Sequence, residues 1–253
     1  MVDWNRFPAH ILPKLKTHYA IKSMRREPKL FGDTSNFTSI DYGDVIHVGD
    51  RYFLIVGYTK EGRFGIDEQP KQWVPKVYDL ESGEHKIAKL TFHETYELTI
   101  GGLKVTCYRN PEKEAQVIEL VKGNPFFMQG YSALDEAGNL VRVLEVVQGM
   151  RLDKYLENMG ATHKEYFEIH CKGMLVNFLD SVRGISLLHA HGLNMAISGA
   201  TISTSTMKTA VFAGSTSTMI FISRSGRSLL IFSVLAMSCS ISLAERTSVL
   251  LIS

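Results

Sequence analysis

His189 and His191 are the side chains in this 253-residue chain whose types would first suggest a metal ion. Two residues apart on a helix they face different sides, and no carboxylate or third histidine follows nearby, so they read as helix-end residues packing against their surroundings. Cys107, Cys171 and Cys239 are odd in number, widely spaced and without a CxxC pair. That argues against zinc and against a disulfide framework, and for a reducing compartment. Lys89 and Glu114 remain. As an ordinary surface pair they would contribute little. If a carboxylate on a neighbouring helix fixes the lysine in one geometry, the ammonium can organise phosphates. Which of the two applies depends on the elements that carry them.

Length and an apolar content of 45% allow a substantial core, in one large domain or two small ones. A net charge of +2 gives no nucleic-acid or membrane signal, because the acids lie almost wholly in the first 194 residues and balance the bases there. The first residues hold no charged region followed by an apolar run, so no secretory signal is expected and the cytoplasm is the default. Residues 1–43 read as a basic leader with one helix near 9–23, wrapping onto the strand-rich lobe after it, its lysines and arginines read as a solvated face in preference to a patch for an anionic partner.

Strand patterns begin with Val45-Ile46-His47-Val48 and Arg51 to Tyr58, joined at Gly49-Asp50. Gln72 to Leu80 and His85 to Phe92 then form a predicted hairpin, with Pro75 pointing to an edge or a bulge. Asn110 suits a helix N-cap, Pro111 the first helical position, and Ala115, Val117, Ile118 and Val121 the buried stripe, with Gly123 as the stop. Strands near 126–133 and 140–147 flank a turn at Asp135 to Asn139. After a linker at 148–153, a long helix is predicted over 164–190, with Phe167, Cys171, Leu175, Phe178, Leu179, Val182, Ile185 and Leu188 on one stripe. The expected divisions are a leader (1–43), a strand-rich lobe (44–147), a linker with the start of a helical lobe (148–194), and a tail (195–253).

Strands, one interposed helix, two more strands, a linker and a long helix together resemble the protein-kinase fold of the serine/threonine type. That fold is α+β, with an antiparallel β-rich N-lobe carrying one helix, followed here by an incomplete helical C-lobe. Lys86-Ile87-Ala88-Lys89 is similar to the strand motif V-A-I-K, which puts Lys89 where the nucleotide α/β-phosphates are paired and Glu114 at the carboxylate that holds the lysine. Glu145-Val146-Val147-Gln148-Gly149 is similar to the hinge, implying that Glu145 and Val147 meet adenine through the backbone. Gly57, Gly62 and Gly65 stand at the place of the glycine loop but with spacing other than G-x-G-x-x-G, and read equally as phosphate cover or as turn residues. Leu187 to Leu193 is similar to the L-x-x-L-H-x-x-G-I segment before the catalytic loop. The resemblance covers roughly residues 44–194. It implies ATP and Mg²⁺ as cofactors and a protein Ser/Thr hydroxyl as acceptor, with small-molecule kinases of the H-G-D branch within its scope.

The catalytic loop and the D-F-G-like motif should come next, and neither does: no aspartate occurs after Asp180. This sequence therefore holds no catalytic residue of that type, and turnover is not expected. From Met195 onward Glu245 is the sole acid, and Trp, Tyr and Pro are absent. A shifted reading frame produces such composition. Asn-His-Gly-Asp-Ile can be encoded AAC CAT GGC GAT ATC, and loss of one C yields Asn194-Met195-Ala196-Ile197-Ser198. Continued in the restored frame, codons compatible with the tail can encode W-I-D-F-D, resembling the metal-binding motif, despite the single codons of Met207 and Met219. The tail is thus expected to be out of frame and poorly structured. Two other classes stay open: a non-catalytic pseudokinase or interaction module, and a tail-anchored membrane protein through the uncharged run Ser228 to Ala244, whose serines argue against a bilayer span. Sequencing the gene through codons 190–225 is expected to show H-G-D and W-I-D-F-D one nucleotide out of phase. An alternative frame without them ends the idea.

Overall fold

A computed structural model describes residues 4–22, 26–63, 66–100, 103–147, 150–151 and 158–193, with short strand segments at 202–204, 218–219, 231–232, 234–235 and 237–241. Helix α1 (Leu12–Ile21) precedes strands β1 (Leu30–Phe31), β2 (Val45–Val48), β3 (Arg51–Arg63), β4 (Ile66–Asp79) and β5 (His85–Lys89). A hairpin of β6 (Thr95–Ile100) and β7 (Leu103–Arg109) leads to α2 (Pro111–Leu120), then β8 (Gly130–Leu134), β9 (Leu140–Glu145) and α3 (Cys171–Ala190). The protein is α+β, built on a curled, mixed seven-stranded sheet of order β1-β2-β3-β4-β5-β9-β8. The expected antiparallel β-rich lobe is mixed at one edge, where β1 runs parallel to β2. That edge comes from the leader, which also supplies α1.

Side chains alternate between the two faces, as the period of a strand requires. Phe53 and Ile55 join Ile46, Val77, Ala88, Leu90, Val141 and Val143 in a core on one face. Leu54 faces the other way and packs with Val45 and Leu80 against Ile11, Leu15 and Tyr19 of the leader. Pro13 starts α1 but no side chain caps it, so tertiary burial must hold it. Each fully buried side chain such as Ile11 or Leu15 contributes about 1.5–3 kcal/mol.

Helix α2 follows its sequence signals. Asn110 accepts a hydrogen bond from the Lys113 N–H at 2.7 Å, Pro111 opens the first turn, and Gly123 lies just past the end at φ +73°. Val117, Ile118 and Val121 are buried, and so is Glu114, a carboxylate on the sheet side of the helix.

The predicted helix over 164–190 begins differently. Thr162 and Glu165 form a capping box over a single turn, Tyr166–His170 is a wider π-type turn, and α3 follows. The far end of α3 is anchored in the core. Leu188 is fully buried with Val117, Val121 and Phe127, and Ile185 packs beside them. Phe167, Leu175, Phe178, Leu179 and Val182 of the same predicted stripe are each 40% or more exposed. His189 and His191 are exposed too, rather than packed as expected, and His191 Nδ1 lies 2.8 Å from the Leu187 carbonyl. Among the described residues no helix is long and apolar enough to cross a membrane. In the tail, Met237–Ile241 pairs antiparallel with β7; most of 195–253, including much of the run from Ser228 to Ala244, lies outside the described residues.

Buried aspartates clamp the turns. Asp135 Oδ1 accepts from the Ala137 and Asn139 N–H groups, and Oδ2 accepts from Thr34 N, Thr34 Oγ1 and Asn139 Nδ2, all between 2.7 and 3.0 Å. Burial raises the pKa of this carboxyl, and the hydrogen bonds from Asn139 and Thr34 outweigh it, holding the value below the ordinary one. Its contribution is therefore complete above the unfolded pKa and is lost as the pH falls through the lower folded value. Asp135→Ala should lower the unfolding free energy in urea by about 2–3 kcal/mol at neutral pH, with the difference from wild type shrinking under strongly acidic conditions.

Candidate functional site

The site is built where β5, β9 and α2 meet. Lys89 ends β5, and the ladder sets Arg142 of β9 directly across from it. Directly opposed residues point to the same face of a sheet, here the face that α2 covers. Glu114, in the first turns of α2, completes the group. Lys89 Nζ lies 2.5 Å from Glu114 Oε2, and Arg142 Nε lies 3.5 Å from the same oxygen. All three side chains are nearly dry, at 7%, 4% and 9% exposure for Lys89, Arg142 and Glu114. The guanidinium also donates to the Leu140 and Leu90 carbonyls, at 3.1 and 3.4 Å.

This is not a surface pair. Charges moved out of water persist only where partners and hydrogen bonds compensate the lost hydration. The helix contributes as well, because Glu114 lies near its positive end. The sequence brought out Lys89 and Glu114 but not Arg142. In Val141-Arg142-Val143 an arginine between two apolar residues reads as the solvent side of a half-buried strand. Only the β5–β9 register reveals that it faces α2.

Beside the charges lies an apolar patch of Val74, Ile87, Ile118, Met128 and Leu144, with Trp73 and Val147 packed on its border. Glu145, the last residue of β9, pairs across the ladder with Lys86, and its N–H donates to the Gln129 carbonyl at 2.9 Å. Gln148 and Gly149 lie outside the described residues. Thus Lys89, Glu114, Ile87 and Val147 come together on one face of the sheet.

The glycines are arranged otherwise. Gly57 sits at an irregularity of the β3–β4 ladder with φ +151°, where an added Cβ would meet nothing within 4 Å. Gly62 lies inside β3, and Gly65 is outside the described residues. The ladder runs from Phe53↔Asp79 out to Arg63↔Ile66, so the stretch from Gly57 to Gly62 forms part of a two-stranded ribbon rather than a loop. A cleft of roughly 840 Å³ opens from Ile87 toward α1 rather than toward Lys89.

Among the described residues no group of three or more His, Cys, Asp or Glu side chains comes together to hold a metal ion. Glu114, the carboxylate at the centre of the site, is already engaged by two cations. The donor set present does not fit the Mg²⁺ that the kinase resemblance implies, and no step through that ion follows from these residues.

The two ends of the charge group are not equivalent. Removing Lys89 leaves Glu114 facing Arg142, whereas removing the carboxylate leaves two like charges facing each other under α2. Glu114→Gln should therefore cost about 3–5 kcal/mol in urea unfolding, and Lys89→Met distinctly less. Equal losses would contradict the geometry. Comparisons with protein-family models, with curated proteins and with solved structures find no match to this chain, so its functional reading rests on the geometry of its own residues.

Proposed function

We propose that this chain carries the nucleotide-holding lobe of a protein-kinase-like phosphotransferase acting on a protein Ser/Thr hydroxyl, and that it does not itself transfer phosphate. The buried contact between Lys89 and Glu114 carries the reading. In protein kinases the phosphate-pairing lysine stands on the third strand of the lobe and is held by a glutamate of the following helix. Counted from the long β3–β4 hairpin, β5 is the third strand, α2 follows it after the inserted β6–β7 hairpin, β8 and β9 come next, and β9 lies beside β5. Lys89 would meet the phosphates of ATP. The base would lie on Val74, Ile87 and Leu144, against the backbone at 145–147.

Phosphoryl transfer is mostly positioning and charge stabilisation. The aspartate that accepts the hydroxyl proton and the aspartate that holds Mg²⁺ are absent from the sequence after Asp180, so the rate should be negligible. The exposed apolar side of α3 supports the same reading, since it is the surface a helical lobe would cover. That surface also favours the second reading, a non-catalytic module that binds a partner there.

A fluorescent ATP analogue should bind the chain and be displaced by ATP, with affinity reduced about tenfold or more in a Lys89→Met variant shown to be folded by its urea midpoint. Radiolabelled phosphate should transfer from ATP to a protein substrate with the frame-restored protein but not with this chain. A restored protein that neither binds ATP nor transfers phosphate would overturn the kinase reading. ATP binding without transfer after restoration would favour the non-catalytic one.

A further inference from the structure

Helix α1 and the β3–β5 part of the sheet enclose the cleft of roughly 840 Å³. Its floor is apolar, with Val56 and Ile87 of the sheet and Val146 just past β9. Four lysines and two histidines face it, Lys14, His18 and Lys22 from α1 and its end, and Lys76, His85 and Lys86 from β4 and β5. Among the described residues no carboxylate lines it. Two of the lysines are occupied: Lys14 Nζ donates to the Glu81 carbonyl at 2.5 Å, and Lys86 pairs with Glu84 at 2.8 Å. Lys22 and Lys76 are exposed and have no ion-pair partner among the described residues.

His18 adds an independent sign. Its Nε2 is buried with no hydrogen-bond partner. The ring stacks on Tyr78 at 6.5 Å, and Tyr78 in turn lies 5.2 Å from His85. Burial, followed by the nearby charges of Lys22 and His85, holds the His18 imidazole below its ordinary pKa. Lysines around an apolar floor, two of them without an ion-pair partner among the described residues, beside an imidazole with an unpartnered nitrogen, are complementary to an anion attached to an apolar body.

We propose that the cleft between α1 and the sheet is an anion-binding site in its own right, taking a phosphomonoester whose anion meets Lys22, Lys76, His18 and His85 and whose ring or apolar body lies on Val56, Ile87 and Val146. The site adjoins the proposed base pocket at Ile87 and Val146, but its charged groups are not those of the nucleotide reading. His85 stands four residues before Lys89 on β5, about 13 Å along the strand, and α1 belongs to the leader rather than to the kinase-like segment.

Phenyl phosphate is the probe, with inorganic phosphate and phenol as partial ligands. Titration followed by the proton resonances of the His18 and His85 rings should give saturable shifts with phenyl phosphate, weaker ones with phosphate and none with phenol. Because Lys22 and Lys76 are exposed, a Lys22→Gln/Lys76→Gln double variant should keep its urea midpoint while binding phenyl phosphate about tenfold more weakly or worse. Lys89→Met should bind it unchanged, even if ATP binding is lost. Failure of phenyl phosphate to shift either ring, or undiminished binding by the double variant, would overturn the site. Loss of binding in a folded Lys89→Met protein would overturn its independence from the nucleotide lobe.

Discussion

One carboxylate held between two cations in a dry interior sets the terms for the rest of the molecule. The buried Glu114 carboxylate is compensated only while Lys89 and Arg142 approach it, and they approach it only while β5 and β9 are in register. The same contact ties α2 to the sheet. A one-residue slip of β9 would turn Arg142 to the other face and bring Val141 or Val143 toward the carboxylate. Register, helix docking and electrostatics are therefore one constraint.

The sheet divides the work between its faces. One holds an apolar core, closed by the curl of the sheet around Phe53, Ile55, Ala88 and Val143. The other carries the helices: α1 at the end near β2 and β3, α2 at the end near β5 and β9, and between them the patch around Ile87 and the basic cleft. Two helices on one face leave a gap because neither is wide enough to cover seven strands. The gap is lined by whatever the strands present there, which is a row alternating between apolar residues and lysines.

Several local features were legible. Val45–Val48 forms β2 over the residues its pattern picked out, and Asn110-Pro111 starts α2 as a capped helix, because both signals act within a few residues of where they are read. Long-range features were not. β3 and β4 extend well beyond their apolar patterns because pairing with each other sustains a polar ribbon that neither would form alone. The stripe on α3 has helical spacing, yet spacing does not say what covers it: Leu188 is fully buried with Ile185 beside it, while Phe167, Leu175 and Leu179 are more than half exposed. The basic residues of the leader read as a solvated face, whereas α1 turns Lys14 and Lys22 toward the sheet.

By itself, then, the sequence determined that a strand-rich α+β body would form, where α2 would begin, and that Lys89 and Glu114 were residues to bring together. It also showed that no aspartate follows Asp180, so the two aspartates of the resembled kinase pattern are not found where that pattern would put them. The tertiary structure decided that the lysine and the glutamate meet in a dry place, that Arg142 joins them, and that α1 makes a basic wall across an apolar floor. Spacing along a chain specifies a residue's direction relative to its own helix or strand. What lies in that direction is set by strand order and register, and those arise from the burial of the whole core at once.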